Sequence, residues 1–187
     1  MRDQLRIGVF TVVEVVTLAT WLALVRSEAG IYQVSMSSVV VGLVVLAVGF
    51  TIEHLLAYNV IHNRGLFELQ GLPIGKKAVV SLIETGIWVL WLVLAAINAI
   101  VAAVALTGLL IVEHTLSDNV FKGKDIFSRL LDAQTIGFSL IEAVGAAIWL
   151  ALLQANLAVV GILILAVASF VEHLMAVALG QRETVVA

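Results

Sequence analysis

Six times the chain runs for about 20 residues with almost no charge, the length a helix needs to cross the hydrocarbon core of a bilayer. The runs cover roughly 6–26, 37–61, 77–97, 99–118, 135–154 and 157–179. No proline interrupts them, and stretches such as Val39 to Val48 do not alternate as strands would. In lipid the backbone must satisfy its own hydrogen bonds, so each run is predicted to be a helix. With 62% hydrophobic and 12% charged residues and a mean hydropathy of +1.15, the apolar surface exceeds what a soluble domain of 187 residues could bury. The chain reads as an all-α integral membrane protein, a single transmembrane domain over 1–187. The absence of cysteine excludes disulfides, iron–sulfur clusters and thiolate metal sites. Nothing basic or aromatic enough for nucleic acid is present.

The acids inside these runs follow a pattern. Glu14, Glu84 and Glu142 each have a hydroxyl three residues before (Thr11, Ser81, Ser139) and a tryptophan seven after (Trp21, Trp91, Trp149). One run later come the pairs Glu53-His54, Glu113-His114 and Glu172-His173, each followed by x-[LM]. A period of about 60 residues marks an internal repeat. The repeats span approximately 6–62, 77–118 and 135–180, each a pair of helices joined by a turn, and three parallel hairpins predict a pseudo-three-fold axis along the membrane normal. Arg2 and Arg6 precede the first run as in a signal peptide, but Glu14 lies in its middle, so it is kept as the first span. The first hairpin carries about ten extra residues near Glu28 to Ser37, expected outside the membrane opposite the termini.

Lys and Arg fall almost wholly on one side. Arg2, Arg6, Arg64, Lys76, Lys77, Lys122, Lys124, Arg129 and Arg182 lie with the termini and inter-repeat loops, and Arg26 alone opposes them. The positive-inside rule then places both termini in the cytoplasm, in a multi-pass protein of the cell membrane. The glutamates of each hairpin come out about 12 Å from that face at 1.5 Å per residue, in one layer.

Six ionised acids at that depth would cost on the order of 15–20 kcal/mol at about 2.5–3.5 each, more than the roughly 5–15 that stabilises a typical domain. With no Lys or Arg expected within the helices, the balancing charge must be protons, imidazolium or metal ions. Carboxylates with imidazoles suit iron, manganese or zinc. The predicted ligands are therefore Glu14, Glu53, His54, Glu84, Glu113, His114, Glu142, Glu172 and His173, around two divalent transition-metal ions, with iron foremost and Mn or Zn as alternatives. Thr11, Ser81 and Ser139, one turn from the acids, are placed to orient the ligands. Trp21, Trp91 and Trp149 would seal the far side. The competing readings are a metal-free polar plug between helices, capping boxes for the [ST]-x-x-E triplets, and interfacial tryptophans, as is expected of Trp88. Tyr58 and Asp118 either line an entry path or meet headgroups. His62, Glu28, Glu68 and Glu183 read as solvated. Gly42, Gly49 and Gly145 permit close helix contact, within or between subunits.

In ligand chemistry alone, the set resembles the di-iron carboxylate proteins, with the departure that here Glu and His are adjacent and occur three times. That resemblance implies an oxidoreductase acting on a lipophilic substrate such as an acyl chain, isoprenoid or quinone. Transport of a divalent metal or of protons is the alternative. A zinc-dependent hydrolase or an accessory subunit of a redox complex are further ones.

Overall fold

The computed structural model describes residues 2–25 and 35–186, with side chains placed for 3–25 and 35–181. It is helical, with no strand among the described residues: α1 (Arg2–Val25), α2 (Met36–Ile61), α3 (Ile74–Ile97), α4 (Ala99–Phe121), α5 (Ala133–Gln154) and α6 (Ala158–Val186), with a single 3-10 turn at Ile126–Ser128. All six are long and apolar enough to cross a membrane. Even the 22 residues of α5 span about 33 Å. Arg26 and Glu28 lie outside the described residues, as does most of the extra segment of the first hairpin, and the side chains of Arg182 and Glu183 do too.

Helix ends are set by side chains and left-handed caps. Ser35 accepts the Ser38 N–H, Asp132 accepts that of Gln134, and Asn98 accepts those of Ile100 and Val101. Asn98 thereby turns α3 into α4 with a single extended residue. At the far ends of α2, α4 and α5 the chain takes positive φ at Asn63, Gly123 and Asn156. There the next N–H reaches back to the carbonyls of Asn59, Asn119 and Leu152, each at 2.8 Å. Asn59 and Asn119 also hold the loops that follow: the Asn59 amide donates to the carbonyls of Leu66 and Glu68, and the Asn119 amide to those of Ile126 and Arg129.

Each helix packs on its neighbours in sequence, and α6 returns to α1, so the bundle is a closed ring. Gly49 and Gly145 are the tightest approaches. A Cβ on Gly49 would stand 2.1 Å from Thr17 Oγ1 on α1, and one on Gly145 would stand 2.4 Å from Ala168 Cβ on α6. Gly42 meets Trp21 and Val25, so all three glycines serve contacts within the chain. Large apolar residues such as Val12, Val16, Val44, Val104, Leu163 and Val167 face outward, as a lipid solvent requires.

Inside, the half of the bundle farther from the termini is filled by Leu18, Trp21, Leu46, Phe50, Trp88, Trp91, Leu106, Leu110, Trp149 and Leu165. Trp88 is no interfacial residue: it is fully buried, edge-on to Trp91 with ring centroids 5.3 Å apart, and Trp91 in turn stacks on Trp149. Lys77 also departs from expectation. It is not a loop cation but a fully buried residue of α3, donating to Ser117 Oγ at 3.1 Å with its Nζ 3.2 Å from the centre of the Phe121 ring. Both follow from helical spacing, since Lys77, Ser81, Glu84, Trp88 and Trp91 are separated by four, three, four and three residues and share one inward face.

Candidate metal centre

The nine Glu and His side chains converge at one level of the bundle, nearer the termini than the tryptophans. The six glutamates are each no more than 6% exposed. What arranges them is a set of three hydroxyls. Ser81 on α3 lies 2.8 Å from His54 Nδ1 of α2, Ser139 on α5 lies 2.7 Å from His114 Nδ1 of α4, and Thr11 on α1 lies 2.8 Å from His173 Nδ1 of α6. The same hydroxyls donate to the carbonyl one turn back, those of Lys77, Thr135 and Ile7. A hydroxyl has one proton to give. With that proton on the carbonyl, each imidazole donates from Nδ1, which turns Nε2 toward the carboxylates, as a lone pair in the neutral ring. These residues are therefore not caps, because α1, α3 and α5 all begin at least a turn earlier. The partners they hold are the histidines of the neighbouring helix, rather than the acids on their own.

The three Nε2 atoms face carboxylate oxygens. Around His54 Nε2 lie Glu53 Oε2 at 3.6 Å, Glu84 Oε2 at 3.7 Å and Glu113 Oε1 at 3.4 Å. Around His114 Nε2 lie Glu113 Oε2 at 3.5 Å, Glu142 Oε2 at 3.2 Å and Glu172 Oε1 at 3.8 Å. Around His173 Nε2 lie Glu172 Oε2 at 3.2 Å, Glu14 Oε2 at 3.8 Å and Glu53 Oε1 at 3.6 Å. Glu53, Glu113 and Glu172 thus each offer one oxygen to their own histidine and the other to a second, whereas Glu14, Glu84 and Glu142 each serve one. The Nε2 lone pair of a neutral imidazole opposed to carboxylate oxygens at low dielectric repels them, so either a proton on Nε2 or a cation between the groups has to balance the charge. Glu14 Oε2, Glu84 Oε2 and Glu113 Oε1 are buried with no hydrogen-bond partner. His54, Glu84 and Glu113 alone could hold a metal ion, their ligand atoms lying within 4.8 Å of one another.

The layer is reached from the termini end. A cavity of about 80 Å³ runs down to it between Ala57, Ile61, Phe121, Phe138, Val177 and Leu179, with Asp118, Lys122 and Gln134 also in its lining. At about 15 Å³ per water-sized group it has room for some five of them. Asp118 is paired with Lys122 and Arg129, both at 2.8 Å. Tyr58 instead stacks on His62, with ring centroids 4.0 Å apart, and Glu68 is exposed in the loop, paired with Arg64.

Two contributors escaped the sequence reading. Ser169, fully buried on α6, donates to Glu14 Oε1 at 3.2 Å. It stands three residues before Glu172, so the hydroxyl-x-x-Glu spacing that picked out Thr11, Ser81 and Ser139 occurs a fourth time and could have found it. Lys77 was missed because its proximity to a helix start suggested a solvated end. No protein-family model, no curated protein and no solved structure matches this chain, so the reading of the centre rests on its geometry.

Proposed function

We propose that this protein is an intramembrane metalloprotein whose Glu/His layer holds divalent transition-metal ions and carries out oxidation of a lipophilic substrate. The observation that carries the metal reading is the set of nine Nε2-to-carboxylate separations, 3.2–3.8 Å. Direct N–H···O bonds would measure about 2.7–3.2 Å, whereas two ligands on one ion at about 2.1 Å stand roughly 3.0–3.6 Å apart for angles of 90–120°. Six of the nine fall in the second range, and only His114 with Glu142 and His173 with Glu172, both at 3.2 Å, also fit a direct hydrogen bond. Donors of carboxylate and imidazole type suit iron, manganese or zinc.

In this reading α1–α2, α3–α4 and α5–α6 are repeats of one hairpin about a pseudo-three-fold axis. The histidine-to-hydroxyl bonds support it, since each leaves one hairpin for the next and the third returns to the first. Thr11, Ser81 and Ser139 orient the ligands, and Trp21, Trp91 and Trp149 close the centre on its far side. Both termini lie in the cytoplasm of a cell-membrane protein, so the cavity opens toward that face.

Iron in this centre would supply one-electron and oxygen chemistry. The chain's part is to exclude bulk water and admit an apolar end, which the aromatic and aliphatic cavity walls favour. The cavity's dead end at the layer of Leu, Phe and Trp favours an enzyme over a conduit, which needs polar groups along its length. The test is elemental analysis and spectroscopy of the purified protein. Bound transition metal, lost when Glu84 and His114 become Ala, with a visible absorption band that responds to oxygen, is the expected result. Absence of metal ends the metal reading, and uptake of Mn²⁺, Fe²⁺ or Zn²⁺ into liposomes replaces oxidation by transport.

A further inference from the structure

Resting on the metal reading, we infer that the centre is built for three divalent cations, one at each histidine, rather than the two that the count of ligands first suggests. Each Nε2 has three carboxylate oxygens about it, drawn from three different glutamates, so each corner offers one nitrogen and three oxygens. At His54 the nitrogen and the oxygens of Glu84 and Glu113 lie within 4.8 Å of one another, close enough to share an ion, and the nitrogen-to-oxygen distances at the other two corners repeat that pattern. Glu53, Glu113 and Glu172 link the corners in a closed triangle, one oxygen to each side, while Glu84, Glu142 and Glu14 complete the corners at His54, His114 and His173. No corner borrows a ligand atom from another: the twelve atoms, three nitrogens and nine oxygens, divide into three sets of four.

Charge bounds the count. Six carboxylates and the buried Lys77 ammonium sum to −5, three neutral imidazoles carry nothing, and two or three divalent ions bring the layer to within one charge of neutral. A single ion leaves −3 in a region where uncompensated charge is expensive. The Nδ1–H bonds to Ser81, Ser139 and Thr11 leave Nε2 as the atom offered to an ion, and an imidazole bound through Nε2 carries no proton there. The unpartnered buried oxygens fall at two of the three corners: Glu84 Oε2 and Glu113 Oε1 at His54, and Glu14 Oε2 at His173. Each is aimed at a histidine nitrogen 3.4–3.8 Å away, a gap that an ion between the two fills.

The experiment is a metal titration of the purified, chelator-treated full chain with Zn²⁺, Fe²⁺ or Mn²⁺, with the ions retained per chain counted by mass spectrometry after gel filtration. Three ions per chain are expected. One or two would overturn the three-ion centre and leave the metal reading standing, and none would overturn both. The linking and terminal acids provide a second readout. Glu84→Gln disables one corner and should retain two ions, whereas Glu113→Gln disables two and should retain one. Equal losses in the two variants would overturn the assignment of Glu113 as a link, even if the wild-type count were three.

Discussion

Replacing Ser81 by alanine removes one oxygen and no ligand, yet metal affinity should fall by one to two orders of magnitude. Ser81 is fully buried, and its hydroxyl, 2.8 Å from His54 Nδ1, is the acceptor that holds that imidazole with its lone pair toward Glu53, Glu84 and Glu113. Without it the Nδ1–H is stranded in a water-poor site, a loss of about 1–3 kcal/mol. At about 1.4 kcal/mol per tenfold this corresponds to roughly 5- to 150-fold in Kd, and changes at partners of metal-bound histidines elsewhere weaken binding by about 10–100-fold. The assay is competition with a chelator of known affinity, with helicity and thermal midpoint measured in parallel. Ser139→Ala and Thr11→Ala should fall within a few fold of Ser81→Ala, because their distances are 2.7 and 2.8 Å. Ser81→Thr should bind as wild type, since threonine already fills this role at position 11. An affinity for Ser81→Ala within twofold of wild type, or an equal loss in Ser81→Thr, would refute the reasoning.

Gly145→Leu should destabilise the bundle by about 1–3 kcal/mol or more, because even a Cβ there would overlap Ala168. Gly86→Ala, where a Cβ meets nothing within 4 Å, should instead stabilise α3 by up to about 1 kcal/mol, and thermal unfolding in detergent measures both. Lys77→Met removes a buried positive charge that donates to Ser117, sits over the Phe121 ring and acts on Glu53, Glu113 and Glu84, so the variant should bind divalent cations up to about tenfold more tightly by chelator competition. Asn119→Ala frees the carbonyls of Ile126 and Arg129, at about 0.5–1.5 kcal/mol per bond, and limited proteolysis should then cut the α4–α5 connection faster. The Gly65 N–H, and next the Arg64 guanidinium, hold the Glu68 carboxyl below its ordinary value. Any stability this gives is present at neutral pH and is lost on acidification, and Arg64→Met should move the carboxyl titration back up when followed by NMR.

The six helices were legible in the chain because lipid leaves a long apolar run no other way to satisfy its backbone. The repeated acids, histidines and hydroxyls were legible because a period of 60 residues is a property of the string itself. Lys77 and Trp88 show where reading residue by residue fails. Each was assigned from its position near a helix end or outside the repeat, although the spacing to Ser81 and Glu84 already placed both on the inward face. A helix exposes several faces, and only its neighbours decide which one is the interior.

The sequence by itself determined the number of spans and the kinds of side chain gathered at one depth, since both follow from local spacing at 1.5 Å per residue. It could not determine which helix lies beside which. Only the closed ring seats Ser81 against His54, Ser139 against His114 and Thr11 against His173, a pairing across 162 residues in the last case. Only it turns the two oxygens of Glu53, Glu113 and Glu172 toward different histidines. Those relations join residues far apart in the chain, and they arise from how six cylinders pack around a common axis.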